Sequence, residues 1–176
     1  IHAKTALVGQ GWVQNVRLTC SNGKIANVET GAQTESGDYC VEVLLPSLAN
    51  LHSHTFQRAM AGMTEFRAAG KESFWTWREL MYRFLGQLSP DQYQAIAAMV
   101  FMEMQEAGYA SVGEFHYVHH QQNGAPYDHL SELSSRVFAA ANETGIGLTH
   151  LPVLYTYGGV NQESLTGGQL RFSNDV

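Results

Sequence analysis

Apolar and polar side chains alternate with period two over the first quarter of the chain, at Val16 and Leu18 and again at Ile25 and Val28. That period places one face of a strand on a core and the other in water. It predicts strands over Ala3–Val8, Trp12–Thr19 and Lys24–Val28. Between the last two lies Ser21-Asn22-Gly23-Lys24. Asn-Gly suits a type I′ hairpin turn, whose two central residues both need positive φ. Residues 30–38 are polar and Gly-rich and read as a loop, and Tyr39–Leu45 returns to strand. Residues 1–45 thus form a small all-β unit, too short to bury a sizeable core unaided. Partner strands are expected from elsewhere, and the rest of the sequence offers none.

Next comes an apolar run, Val43-Leu44-Leu45-Pro46-Ser47-Leu48-Ala49, that reads as a buried strand ending near residue 52. Beyond it the period lengthens toward 3.6. Phe56, Met60 and Met63 give Thr55–Phe66 a weak helical pattern, broken at Gly70-Lys71. Ser73 is a candidate N-cap for a helix with Phe74, Trp77, Met81, Phe84 and Leu85 at helical spacing. Ser89-Pro90-Asp91-Gln92 is a stronger start, with a Ser cap, Pro at the first helical position and a Gln to close a capping box. That helix runs through Tyr93, Ile96, Val100, Met104 and Ala107 to Gly108. Tyr109–His116 reads as a buried strand, Pro126–Thr144 as a helix ended by Gly145, and Ile146–Leu154 as a strand. Tyr155–Val176 has no periodicity and reads as loop. The order β-α-β-α-β predicts parallel strands with right-handed crossovers. Three such strands end near residues 52, 116 and 154. A closed (β/α)8 TIM-like barrel takes about 250 residues, so residues 46–176 are expected to supply its first three β/α units.

Composition narrows the function classes. The 176 residues are 44% hydrophobic and 15% charged, as expected of a globular chain with a core. A net charge of −6 disfavours nonspecific nucleic-acid binding. No run of about 18 apolar residues is present to make a membrane-spanning helix. The start, Ile1-His2-Ala3-Lys4-Thr5, lacks the charged and apolar regions of a secretory signal and also lacks Met, which points to residues upstream and to a cytoplasmic protein. Cys20 and Cys40 sit in no metal-ligand spacing and are expected as reduced thiols.

The chemistry centres on Leu51-His52-Ser53-His54-Thr55-Phe56-Gln57-Arg58. A His-x-His pair at a strand end puts both imidazoles on one face, and two neutral imidazoles supply half of a tetrahedral zinc shell. Taken alone the motif is weak, and two neighbouring loop histidines would look the same. Its position adds weight, because parallel α/β folds keep their sites where strand gives way to loop. Arg78 can grip a carboxylate with its planar fork, or it can be a solvated helix residue. Its neighbours Phe74, Trp75 and Trp77 are unusually apolar for a solvated face. Tyr117 can donate a phenol hydrogen bond or simply pack at a rim, and Gln57 can bind through its amide or lie exposed on a helix. Glu114 in a buried strand needs a partner or a proton. His116 can face the barrel mouth. His119 and His120 point apart on an extended chain, so both do not reach one ion. Phe74, Trp77, Met81 and Phe84 form a stripe that reads as core or as a subunit interface, the latter allowing a homodimer.

Leu45–Gly62, with its His-x-His and its Phe56-Gln57-Arg58-Ala59-Met60-Ala61-Gly62 continuation, resembles the amidohydrolase superfamily. With Phe74-Trp75-Thr76-Trp77-Arg78 and Gly113-Glu114-Phe115-His116-Tyr117-Val118-His119-His120, it is most similar to the formimidoylglutamate deiminase family. The resemblance covers essentially the whole chain. It implies a metal-dependent hydrolase barrel preceded by part of a small β-sandwich, here residues 1–45. It also implies one Zn2+ per site with His52 and His54 as its first two ligands, and association of Gln57, Arg78 and Tyr117 with a small acidic substrate. The implied reaction is hydrolysis of N-formimino-L-glutamate to N-formyl-L-glutamate and ammonia, a step of histidine degradation. The family's remaining ligands, a third and a fourth His and a proton-shuttling Asp, come from later strands and match nothing here. The 176 residues therefore read as roughly an N-terminal half, inactive alone. Two other readings stay open: a deaminase of another substrate, such as a nucleobase or an aminotriazine, and a non-catalytic metal-binding fragment.

Overall fold

The computed structural model describes residues 1–9, 11–64 and 73–175, and these divide into two compact units, Ile1–Ser47 and Leu48–Val176.

The first unit is a four-stranded sheet of β1 (His2–Val8), β2 (Gly11–Ser21), β3 (Lys24–Thr30) and β4 (Cys40–Leu44), in spatial order β3-β2-β1-β4. The hairpin between β2 and β3 forms as the Asn-Gly pair predicts. Ser21 pairs with Lys24, and Asn22 and Gly23 take φ of 52° and 72°. Alternation puts Ala3, Ala6, Val16 and Leu18 in a small core, against which Val8, Val13, Val41 and Leu44 pack. Loop 30–38 is tied down by Arg17, whose guanidinium donates to Asp38 and Glu35. Cys20 and Cys40 are free, exposed thiols.

The second unit is a three-stranded parallel sheet, β5 (Leu48–Ser53), β6 (Tyr109–His116) and β7 (Gly147–Pro152), in that spatial order. The helices are α1 (Phe74–Leu85), α2 (Pro90–Glu106) and α3 (Glu132–Thr144). α2 follows the capping signal closely: Gln92 N–H donates to Ser89 Oγ at 3.3 Å, and Ser89 N–H donates to Gln92 Oε1 at 3.0 Å. At the start of α1, Thr76 Oγ1 accepts the Ser73 N–H at 3.0 Å. α2 and α3 pack on each other and on β6 and β7. Phe56, Leu85, Tyr93, Phe101, Leu133 and Val137 fill the core between helices and sheet, each no more than 1% exposed.

Four expectations are corrected. The apolar run 43–49 is not one strand: β4 ends at Leu44 and β5 begins at Leu48, because Pro46 lacks the N–H that a continuous ladder requires. The pattern after the histidines makes only a 3-10 turn, Thr55–Met60, that packs Phe56 and Met60 inward; Phe66, Gly70 and Lys71 lie outside the described residues. α3 begins at Glu132 rather than Pro126, after a turn in which Glu132 N–H donates to the His129 carbonyl. The segment after β7 contains a second 3-10 turn, Gly167–Phe172, which buries Arg171 and Phe172. Among the described residues no helix is long and apolar enough to cross a membrane.

Candidate metal and substrate site

β5 carries His52 to its C-terminal end and the chain turns immediately after His54. The two Nε2 atoms lie 3.0 Å apart, with the rings edge to face. His54 Nδ1–H donates to the Phe115 carbonyl on β6 at 2.8 Å. That bond fixes the tautomer: in neutral His54 the proton sits on Nδ1 and the lone pair on Nε2. His52 stacks on the Phe115 ring at 5.4 Å. Burial depresses the His54 pKa below the ordinary value, assisted by the charge His52 can carry and opposed by the Phe115 carbonyl. A ring held neutral is the form a metal needs.

The turn is anchored from beneath. Glu114 is fully buried on β6, and its Oε1 accepts from Thr55 N–H at 2.7 Å and from Thr55 Oγ1 at 2.9 Å. Burial raises its proton affinity, while the Thr55 and Ser53 donors lower it. The sequence marked Glu114 as needing a partner, and Thr55, next to His54, is that partner.

Beside the histidines opens a pocket of about 540 Å³. His54, Gln57, Arg78 and Tyr117 all line it, together with Tyr82 and Tyr155. Gln57 Nε2 donates to the Tyr117 hydroxyl at 2.7 Å, and the Tyr117 ring meets His54 edge to face at 4.9 Å. Burial raises the Tyr117 pKa above its ordinary value, so the phenol keeps its proton and remains a donor. Arg78 donates from Nε to Tyr82 at 2.5 Å and from Nη2 to Tyr155 at 3.2 Å. It is a pocket residue rather than a solvated one. Tyr155 and Phe172 fell in the stretch read as loop. Thr166-x-x-Gln169 was the usable signal there: Thr166 N–H donates to Gln169 Oε1 at 3.2 Å, half of a capping box. Tyr82 stands four residues after Arg78, the spacing at which helix side chains meet.

His116 does not face the pocket. Strand alternation sets it with Val112 and Glu114 on the helix side of β6, 1% exposed, beside Tyr93 of α2 and 4.7 Å from the His150 ring. His119 and His120 lie 6.5 Å apart between ring centres and do not converge.

Two imidazole nitrogens on one tetrahedral zinc, each at about 2.0–2.1 Å, stand ~3.3 Å apart. The 3.0 Å separation fits two such corners after a shift of a few tenths of an ångström. Among the described residues no group of three or more His, Cys, Asp or Glu side chains is arranged to hold an ion. The pair has the spacing of two corners of such a shell, with the His54 tautomer already set.

The structural comparisons place this parallel β/α fold with amidohydrolases. The chain superposes on an amidohydrolase from Brucella melitensis with a TM-score of 0.93 at 46% identity, covering 99% of this chain and 39% of that one. The fold extends to atrazine chlorohydrolase from Arthrobacter aurescens, a structure in complex with zinc, at a TM-score of 0.63 and 16% identity, over 96% of this chain and 39% of that one. Residues 1–40 match the family model described as formimidoylglutamate deiminase HutF, N-terminal domain. By sequence the chain is a relative of formimidoylglutamate deiminase. It is 47% identical over 175 residues to the Pseudomonas aeruginosa protein of that name, across 99% of this chain. It spans 39% of the length of that relative.

Proposed function

We propose that the intact protein hydrolyses N-formimino-L-glutamate to N-formyl-L-glutamate and ammonia, using one Zn2+ that His52 and His54 help to hold. One observation carries this reading: His54, whose Nε2 lies 3.0 Å from that of His52, and Arg78, which has no carboxylate partner among the described residues, line the same pocket. The P. aeruginosa relative, which bears the deiminase name over the whole matched length, supports it. When bound, zinc supplies hydroxide at neutral pH by lowering the pKa of its water to about 7. The chain's own residues do the rest of the binding. His54 presents an Nε2 lone pair oriented by the Phe115 carbonyl, and His52 Nε2 lies 3.0 Å from it. Arg78 receives a substrate carboxylate through its remaining N–H groups, and Tyr117 and Gln57 offer a phenol and an amide to the polar end of the substrate. Water adds to the formimino carbon and the C–N bond to the terminal nitrogen breaks. That nitrogen leaves as ammonia, and the oxygen stays as the formyl carbonyl.

A deaminase of a neutral base would have no use for Arg78. The test is ammonia release from N-formimino-L-glutamate by the intact protein and its Arg78→Ala variant. A rise in KM of a hundredfold or more is expected, on the order of 3 kcal/mol of charge-assisted binding. An Arg78→Ala protein that kept the parent's kcat/KM would reject the assignment.

A further inference from the structure

Arg78 enters the pocket from α1 held on one side by two phenols. Its Nε–H goes to Tyr82 and one Nη2–H to Tyr155, and its guanidinium carbon lies 5.3 Å from the Tyr82 ring centre and 5.7 Å from that of Trp75. Among the described residues no carboxylate pairs with it, whereas Arg58 pairs with one, Arg136 with two and Arg17 with three. A neutral acceptor orients a guanidinium without cancelling its charge, so full attraction remains for an incoming anion. A carboxylate in the place of either phenol would compete with the ligand.

The hydroxyl of Tyr155 is set from outside α1. Asn174 brackets its backbone: the side-chain oxygen of Asn174 accepts the Tyr155 N–H, and the Asn174 N–H donates to the Tyr155 carbonyl at 3.2 Å. Phe172 packs on the Tyr155 ring at 5.4 Å and on Tyr117 at 4.8 Å. Arg171, 1% exposed, pins this turn by donating to the His120 carbonyl at 2.9 Å, to the Leu85 carbonyl at the end of α1 and to the Leu88 carbonyl in the connection that follows. The segment after β7 thus delivers one phenol oxygen to Arg78 and braces it.

We propose that Tyr155 is a positioning residue for Arg78 and, through it, a determinant of selectivity for substrates that carry a carboxylate remote from the reacting carbon. The proposal deepens the function assigned above and rests on it for the identity of the substrate. Fixing the guanidinium before the ligand arrives removes an ordering cost from binding. The benefit goes only to ligands that use Arg78.

The experiment uses the intact, metal-loaded protein and three variants: Tyr155→Phe, Arg78→Ala and the two combined. Tyr155→Phe keeps the ring on Phe172 and removes only the oxygen. Turnover of N-formimino-L-glutamate is compared with that of N-propylformamidine, an amidine lacking carboxylates, and glutarate binding is titrated by calorimetry. Tyr155→Phe is expected to raise KM for the acidic substrate and Kd for glutarate about tenfold. It is expected to change kcat less than twofold, to spare the neutral amidine, and to add nothing in the Arg78→Ala background. Equal losses on both amidines, additivity with Arg78→Ala, an unchanged glutarate Kd, or no glutarate binding by the parent protein would each overturn it. Glutarate binding that depends on Tyr155 and Arg78 in a protein inert toward N-formimino-L-glutamate would remove the assigned reaction and leave the positioning role standing.

Discussion

Replacing Glu114 separates what its oxygen does from what its charge does. The side chain is fully buried, and one oxygen receives both the N–H and the hydroxyl of Thr55, at 2.7 and 2.9 Å. Glu114→Ala strands both donors without water, at about 1–3 kcal/mol for each. Removing a carboxylate that burial already disfavours offsets part of that loss. A net destabilisation of about 3 kcal/mol is expected, a large share of the 5–15 kcal/mol typical of a domain. Glu114→Gln keeps an oxygen for Thr55 and has no charge to bury, so its cost stays below about 1 kcal/mol. The sign with pH follows from the raised folded pKa. The group's stabilising contribution is fully present below the unfolded value near 4.5 and is lost as pH rises through the folded value. The Gln variant therefore gains on the parent between pH 4.5 and 7. Urea unfolding at both pH values, followed by tryptophan fluorescence, measures this. An Ala variant within about 0.5 kcal/mol of the parent, or a Gln variant as unstable as Ala, would refute the anchoring of the His54 turn by Glu114.

Other outcomes follow from the same contacts. Burial, with His150 and His119 alongside, holds His116 down at about 3. Its unfolded form takes a proton near 6.5, so stability is fully present above that value and falls as pH drops toward about 3, by up to ~1.4 kcal/mol per unit. Glu114 on the same strand acts in the opposite sense, so the comparison is with His116→Phe, whose urea midpoint should fall less steeply from pH 7 to 5; parallel curves would contradict this. Ser89→Ala removes the acceptor for Gln92 N–H and should cost about 1 kcal/mol of stability in urea. His52→Ala should lower the zinc content of the intact protein by elemental analysis after dialysis, and unchanged zinc would remove His52 from the metal shell.

Much of the fold could be read directly. Asn22-Gly23 gave the hairpin because only a few residues tolerate its two left-handed positions, and Ser89-Pro90-Asp91-Gln92 gave α2 because each residue answers one need of a helix start. Those signals are local, and the structure keeps them. The errors fall where tertiary context decides. Hydrophobicity carried the reading through Leu45-Pro46-Ser47, although the strand on one side joins the first unit's sheet and the strand on the other joins the second's. Phe56 and Met60 have helical spacing, yet a single 3-10 turn suffices to bury both.

The site shows a sharper division between residue type and direction. His52 and His54 could be singled out by their spacing at a strand end, whereas Gln57, Arg78 and Tyr117 were favoured over packed or solvated side chains through the resemblance to the formimidoylglutamate deiminase family. Strand period alone could have assigned His116 to the helix side of β6, since Val112, two places along from Glu114, is plainly a core residue. What no pattern along the chain encodes is the partner that fixes a side chain's direction. The Phe115 carbonyl is a main-chain group and leaves no trace in residue type, yet it sets which nitrogen of His54 bears the proton. Tyr155 comes 77 positions after Arg78 and fixes one of its N–H groups across the pocket. Sequence therefore supplied the chemical groups of the site, and long-range contacts supplied their orientation. For that reason variants of Glu114, which holds the turn after His54, and of Tyr155, which accepts a hydrogen bond from Arg78, test orientation separately from the chemistry of the groups they touch.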